Sequence, residues 1–199
     1  IELMNNYYFN FGYIDFKVES VDSTLSDDKE TIYIDIKISE GIQFKLGKVS
    51  FQGELGNQTP DNLRELLTIK TGDIFNFQEV VSDIQTITDV YTDQGYAFAN
   101  INPITKDLLD TVDVNIDISL NKKVYVNRIT ISGNTRTQDE VIRREIGISE
   151  GGLYSRSALR DSVIKLRRLG YFSDVQMNVS KVEDMPDKID LHFVLEETK

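Results

Sequence analysis

The sequence predicts an α+β fold: tandem β-α-α-β-β modules, each a three-stranded mixed sheet with two helices on one face. Three observations predict it. An alternating apolar/polar strand occurs three times, at residues 32–39, 112–120 and 189–195. Each copy follows a Gly-Tyr pair by about twenty residues, the pairs being Gly12-Tyr13, Gly95-Tyr96 and Gly170-Tyr171, spaced 83 and 75 apart. Two helical stretches fall between the first strand and the second of each full repeat. A period near 80 marks an array of small modules, and such arrays usually bind rather than catalyse. The boundaries follow: 1–42 is the C-terminal part of a preceding module, 43–122 a complete module, and 123–199 a second one.

The middle module opens with Phe44, Leu46, Val49 and Phe51 on a strand that leaves through Gly53, a residue suited to a positive φ. Thr59-Pro60 reads as an N-cap and first helical residue, starting a short helix through Leu63, Leu66 and Leu67. Asn76-Phe77-Gln78-Glu79 resembles a capping box. Val80, Ile84, Ile87 and Tyr91 then step by four, three and four along one helix face, with Gly95 as the C′ residue. A strand is expected over 96–101, then an acidic turn around Asp107 and Asp110, then the strand carrying Val112, Val114, Ile116 and Ile118.

The last module repeats this order. Ile129 and Ile131 precede Gly133-Asn134, and Thr137-Gln138-Asp139-Glu140 reads as a capping box for a short helix with Val141, Ile142 and Ile146. Ser155 or Ser157 caps a longer helix whose Leu159, Val163, Leu166 and Leu169 form a stripe, closed by Gly170. A strand over 174–179, a turn at 185–188 and a strand with Ile189, Leu191, Phe193 and Leu195 inward complete the module. The linkers at 40–44 and 121–125 are short and not Gly/Ser-rich, which predicts a semi-rigid string.

Composition excludes several function classes. Cysteine is absent and histidine occurs once, as His192, so thiol chemistry, a histidine-based triad and a multi-histidine metal site have no material. No catalytic group, cofactor or metal site is expected. The net charge of −11 is uneven: residues 1–122 hold 9 Lys+Arg against 21 Asp+Glu, residues 123–199 hold 13 against 12. An acidic first part repels phosphate backbones, which argues against nucleic acid. No segment reaches the ~18 consecutive apolar residues of a membrane helix. The chain opens in what reads as mid-helix, as a piece of a longer protein would.

The β-α-α-β-β order, VYVNRITISGNTRT from Val124 to Thr137, VIRRE at 141–145 and RRLGYFSDV at 167–175 together resemble the POTRA (polypeptide-transport-associated) modules of outer-membrane β-barrel assembly factors. The resemblance covers the whole chain. It makes 123–199 the final, barrel-proximal module, 43–122 the penultimate one and 1–42 the end of the one before. The middle module departs from the pattern in carrying Gly56-Asn57 displaced after Gly53. The resemblance implies a periplasmic location and a role as scaffold and client-binding array. It implies three partners: unfolded outer-membrane proteins, accessory lipoproteins, and the protein's own C-terminal membrane barrel. A two-partner-secretion-type transporter or division protein is the alternative array, and a nucleic-acid-binding βααβ module a weaker one.

Two candidate sites follow. If the first strand of a module pairs beside the third, the second is left as an open edge, a template for strand addition. The client-binding edges expected on this ground are Ala97, Phe98, Ala99, Asn100 and Ile101 in the middle module. In the last module they are Asp174, Val175, Gln176, Met177, Asn178 and Val179. The plain alternative is an ordinary edge that never pairs. The second candidate is Arg143 and Glu150, which match the face where the family's barrel-proximal module meets a lipoprotein; the alternative is a solvated charged helix face. Arg156, Arg160, Lys165, Arg167 and Arg168 read as a plain polar face, and His192 as a surface residue.

Overall fold

The computed structural model describes residues 1–198. In chain order the elements are α1 (Glu2–Asn10), β1 (Lys17–Leu25), β2 (Ile32–Ser39), β3 (Lys45–Gly53), α2 (Pro60–Glu65), α3 (Phe77–Asp93), β4 (Asn100–Leu108), β5 (Thr111–Ser119), β6 (Tyr125–Ser132), α4 (Asp139–Glu145), α5 (Arg156–Arg168), β7 (Phe172–Val182) and β8 (Met185–Glu197). Three sheets result: the hairpin β1-β2, then β3-β5-β4 and β6-β8-β7. In both full modules the third strand is central, flanked by the first and second. In the last sheet β6 runs parallel to β8 and β7 antiparallel to it, so the sheet is mixed. Among the described residues no helix is long and apolar enough to cross a membrane.

The chain forms two compact units, one of residues 1–85 with 102–117, the other of 86–101 with everything from Ile118 onward. In the first, α1 ends at Gly12, whose φ is +83° and whose carbonyl accepts the Phe44 N–H at 2.8 Å. A Cβ there would stand 2.7 Å from the Phe44 carbonyl oxygen, so only glycine fits. Phe9 lies edge-on to Phe75 and Phe77. Thr59 caps α2 through the Asn62 N–H at 3.2 Å with Pro60 following, and Leu63 is fully buried. Asn76 accepts the Gln78 and Glu79 N–H groups at the start of α3; Glu79 answers its side-chain amide rather than its backbone, a variant of the expected box.

The predicted stripe of α3 holds at Val80, Ile87 and Tyr91, but the fourth inward position is shared. Ile84 is half-buried, while Asp83 is 1% exposed. Its carboxylate accepts the Thr68 N–H (2.9 Å), the Thr68 hydroxyl (2.9 Å) and the Ile69 N–H (3.1 Å). Three bonds to donors of the loop after α2 compensate the loss of hydration.

The second unit holds one apolar core, made by Val124, Val126 and Ile129 of the β6 region, Ile142 and Ile146 from the α4 region, Leu159 and Leu166 of α5, Phe172 and Val175 of β7 and the inward face of β8. Ser155 caps α5 through the Ala158 N–H. Asp93, at the end of α3, also accepts from the Ser157 N–H (2.8 Å) and the Ser155 hydroxyl (3.1 Å), placing a carboxylate at a helix N-terminus. Gly95 has φ +96° and its carbonyl accepts the Val124 N–H at 2.8 Å. The Gly-Tyr repeat therefore has a mechanical meaning: at Gly12 and Gly95 the glycine carbonyl receives the residue just before the first strand of the next module, Phe44 before β3 and Val124 before β6.

Three expectations are corrected. The strand expected over 96–101 begins at Asn100. Tyr96 to Ala99 form a turn, closed by the Ala99 N–H on the Tyr96 carbonyl, because Phe98 is held by its carbonyl to the Asn121 amide (2.8 Å) and under the Lys181 ammonium. Thr137 is not the cap of α4. Gln138 takes that position without a side-chain bond, and the Thr137 N–H donates to Glu197 at 2.7 Å instead. The last hairpin turns at Glu183-Asp184, with Asp184 at φ +67°, and Met185 is already paired to Val182. The register break between Lys181 and Val182 takes up residues 186–188, a bulge that accommodates Pro186 inside the strand.

Candidate functional site

The backbone of β6 decides which edge of the last sheet is open. With their side chains in the core, Val124 and Val126 turn backbone groups away from β8: the Val126 N–H donates to Gly152, the Gly151 N–H to Val126, and the Tyr154 N–H to Val124, at 2.7–2.9 Å. After the irregularity between Val126 and Arg128, the backbone of Ile129 faces outward too. Its N–H donates to the Glu150 carboxylate at 2.8 Å and its carbonyl accepts from Arg143 Nη2 at 3.0 Å. The two sequence-predicted partner residues are thus brought together as a clamp, their charged groups 4.0 Å apart, with Asp139 3.7 Å from Arg143. Between them they act as a one-residue mock strand. Around the clamp lies a cleft of about 370 Å³ lined by Ile129, Arg143, Ile146, Ile148, Ser149 and Glu150. Half of each charged side chain remains exposed.

The opposite edge, β7, reads differently along its length. Because Ile129 faces outward, its neighbours bond β8 through Leu191; Asp190, His192 and Val194 of β8 then face β7. Their partners in register are Ser180, Asn178 and Gln176. Strand alternation turns the N–H and C=O of Val175, Met177 and Val179 outward. At Val175 that edge is closed: Arg167 Nη2 donates to its carbonyl at 3.0 Å, and Asp174 accepts its N–H at 2.8 Å. Arg167 also reaches Asp174 at 3.3 Å. The Asp174 carboxyl is held below the usual range, by the Gln176 side-chain amide first and the Val175 N–H next. Among the described residues, nothing meets the outward groups of Met177 and Val179.

The predicted edge residues therefore separate. Asp174 and Val175 belong to a closed end, Gln176 and Asn178 bond inward, and Met177 and Val179 present the open stretch. In the middle module Ala97, Phe98 and Ala99 present no edge, since they precede the strand; only Asn100 and Ile101 lie on β4. That strand also carries Pro103, and a proline in an edge strand removes a donor from the outward row.

Sequence reasoning missed three features. The arginine cluster hides Arg167, which caps the β7 edge, and Arg156, which lies 3.5 Å from Asp89. His192 is exposed as expected, with Nε2 2.8 Å from the Ser132 hydroxyl. The largest omission is Glu197. The Thr135 hydroxyl (2.8 Å) and the N–H groups of Arg136 (3.0 Å) and Thr137 (2.7 Å) all bond its carboxylate. Hydrogen bonding from the Thr137 side chain foremost, with that of the Thr135 hydroxyl and the Thr137 and Arg136 N–H groups, holds its carboxyl down at about 2. Gly133 makes this wrap possible: at φ +87° a Cβ would overlap the Leu195 carbonyl oxygen at 1.8 Å. Among the described residues no cluster of His, Cys, Asp or Glu could hold a metal ion.

Two three-stranded sheets of the same strand order, each with two helices between its first and second strands, define a tandem α+β repeat. The family profile for POTRA, described as a surface antigen variable number repeat, matches residues 44–120 and 124–198, and the chain belongs to that family. It is similar to the outer membrane protein assembly factor BamA of Neisseria meningitidis serogroup B, 35% identical over 199 residues, covering 99% of this chain and 25% of the relative. The assembly factor BamA of Neorickettsia risticii is 32% identical over 183 residues, with 92% and 24% covered. The chain thus spans about a quarter of the length of these relatives. Among solved structures, POTRA domains 3–5 of Haemophilus influenzae BamA superpose with a TM-score of 0.80 at 24% identity, over 98% of this chain and 78% of that one. BamA of Haemophilus ducreyi lacking POTRA domains 1–3 gives 0.67 at 25% identity, over 78% and 29%.

Proposed function

We propose that the chain is a periplasmic docking array of an outer-membrane protein assembly factor, taking extended client chains on the open stretch of β7 and an accessory lipoprotein at the Arg143–Glu150 face. The observation that carries this reading is the asymmetry of the last sheet. Its β6 edge is occupied from Val124 to Ile129 by the chain itself, while the outward row at Met177 and Val179 is unpaired. Strand addition uses the backbone for affinity and alternate side chains for selectivity, which suits many clients of unlike sequence. The relatives' name, outer membrane protein assembly factor, supports outer-membrane proteins as the clients; in this reading the clients arrive unfolded and the protein's own membrane barrel is a further partner. At the other face, the half-exposed Arg143 and Glu150 beside apolar Ile146 and Ile148 offer paired charges over an apolar floor.

Met177→Pro tests the first part. Its N–H points away from β8, so the variant keeps the ladder and stays folded, while binding of an unfolded outer-membrane protein falls about tenfold or more. Unchanged binding by a folded variant overturns strand addition at β7. For the second part, Glu150→Gln retains an acceptor for the Ile129 N–H and removes the charge. Lipoprotein affinity that survives this change and Arg143→Gln counts against that face.

A further inference from the structure

The middle module repeats the clamp's setting without its carboxylate. From the short helix to the start of the long one, the two modules correspond at a constant offset of 79 residues: Arg64 to Arg143, Leu67 to Ile146, Ile69 to Ile148, Thr71 to Glu150 and Asp83 to Ser162. Leu63 and Ile142 share full burial, and Asp83 and Ser162 each accept from the loop after the short helix. The equivalence is therefore structural as well as numerical. Preceding strands correspond as well: Phe44 and Leu46 are bonded outward to Phe75, Gly72 and Asp73, as Val124 and Val126 are to their own loop. These strand residues correspond at an offset of 80, which pairs Val49 with Ile129, and because the Lys48 N–H donates to Asp113 of β5 at 2.6 Å, strand alternation turns the Val49 N–H away from β5.

At Glu150's place, Thr71 turns its hydroxyl to the Gly47 carbonyl at 2.9 Å. Among the described residues no side chain accepts the Val49 N–H as Glu150 accepts that of Ile129. A groove of about 270 Å³ stands there, lined by Lys48, Val49, Arg64, Leu67, Ile69 and Thr71. Its lining has two cations and no carboxylate. Arg64 is half exposed, and among the described residues its guanidinium meets Asp61 alone, itself almost fully exposed, at 3.5 Å, a contact of little strength in water. The groove has an apolar floor, an outward N–H that no side chain meets among the described residues, and an arginine, the same kinds of group that surround Glu150 in the last module.

We propose that this groove is a docking seat for a glutamate side chain on an extended segment of another protein. The carboxylate accepts from the Val49 N–H and lies beside Arg64, as Glu150 does from within the last module, and the flanking residues of the segment rest on Leu67 and Ile69. Charge-assisted bonds to a backbone N–H and a guanidinium give the seat its preference for an acid. The proposal rests on the internal repeat and is independent of the assembly role.

The test titrates the isotope-labelled chain with a blocked hexapeptide, Val-Thr-Glu-Val-Thr-Val, and with its glutamine counterpart, following amide signals by NMR. A saturable shift at Val49 is expected with the glutamate peptide, about tenfold weaker affinity with glutamine, and a similar loss in Arg64→Gln. Thr71→Glu supplies the carboxylate from within and abolishes the response. In the reverse exchange, Glu150→Thr, a folded chain gains a response at Ile129. Absence of a saturable Val49 shift, equal binding of the two peptides, or wild-type binding by Thr71→Glu overturns the seat.

Discussion

The middle and last modules share one plan and solve its polar problems with different chemistry. Both must satisfy the donors of the loop after the short helix. The middle module does so with a buried carboxylate carrying three bonds, Asp83, and the last with a buried hydroxyl, Ser162, that accepts the Gly147 N–H at 2.9 Å and donates to the Ala158 carbonyl. At the outward face of the first strand the chemistry reverses: the last module supplies a carboxylate, and the middle one a threonine turned aside. The backbone fixes where an acceptor is needed, and the side chain decides whether the module satisfies the need itself. The acidic excess of residues 1–122 is thus partly internal and structural.

The largest effect expected from this contrast lies inside. Asp83→Ala leaves buried donors of Thr68 and Ile69 without acceptors and should cost about 3 kcal/mol, against about 1 kcal/mol for Ser162→Ala. Urea unfolding followed separately on amide signals of each module measures both. Equal costs would mean that the carboxylate and the hydroxyl are interchangeable ties, and the contrast between the modules would fall.

How far the sequence anticipated the structure follows from the range of the forces involved. The caps at Thr59, Asn76 and Ser155, the apolar stripes and the alternation of β5 and β8 were legible because each is set by neighbours a few residues away. The strand order entered the sequence reading only as a condition, the first strand beside the third, and the structure meets that condition. What escaped is long-range. Thr137 looked like a cap, but a carboxylate sixty residues on takes its N–H. The start of β4 was misplaced because Phe98 is held by Asn121 and Lys181 of later segments. Asp83 did leave a signal, since it stands three residues after Val80 and four before Ile87, on the buried face. At the candidate site, Arg143 and Glu150 were found as residues, while their bonds to Ile129 and the closing of β7 by Arg167 required the register.

A smaller effect separates the Gly-Tyr pairs. A Cβ at Gly95 would stand 2.5 Å from Leu153 Cδ1, whereas one at Gly170 meets nothing within 4 Å, and both glycines have positive φ. Gly170→Ala therefore meets backbone strain alone, about 1 kcal/mol, while Gly95→Ala adds the displacement of Leu153, about 2 kcal/mol in all. Thermal unfolding of the two variants should rank them in that order. The reverse ranking would mean that the pair is a helix stop at every copy and a strand-receiving junction at none.

The finest distinction is in pH. Glu197 of the last module corresponds to Leu120 of the middle one, which does not titrate. The Glu197 carboxyl lies near 2 in the folded chain against an ordinary 4.5, held there by the Thr137 and Thr135 side chains and the N–H groups of Thr137 and Arg136. A depressed carboxyl adds stability that is present above the unfolded value and lost as pH falls from about 4.5 toward about 2. The last module should lose stability across that window through Glu197. Glu197→Gln should flatten the slope in the last module and leave the middle module's profile unchanged. Module-resolved urea unfolding between pH 2 and pH 5 provides the measurement. A slope that survives the substitution would assign acid sensitivity to other carboxylates, such as Asp174 at the closed end of β7, and would leave the Gly133–Thr137 wrap as a matter of geometry rather than charge.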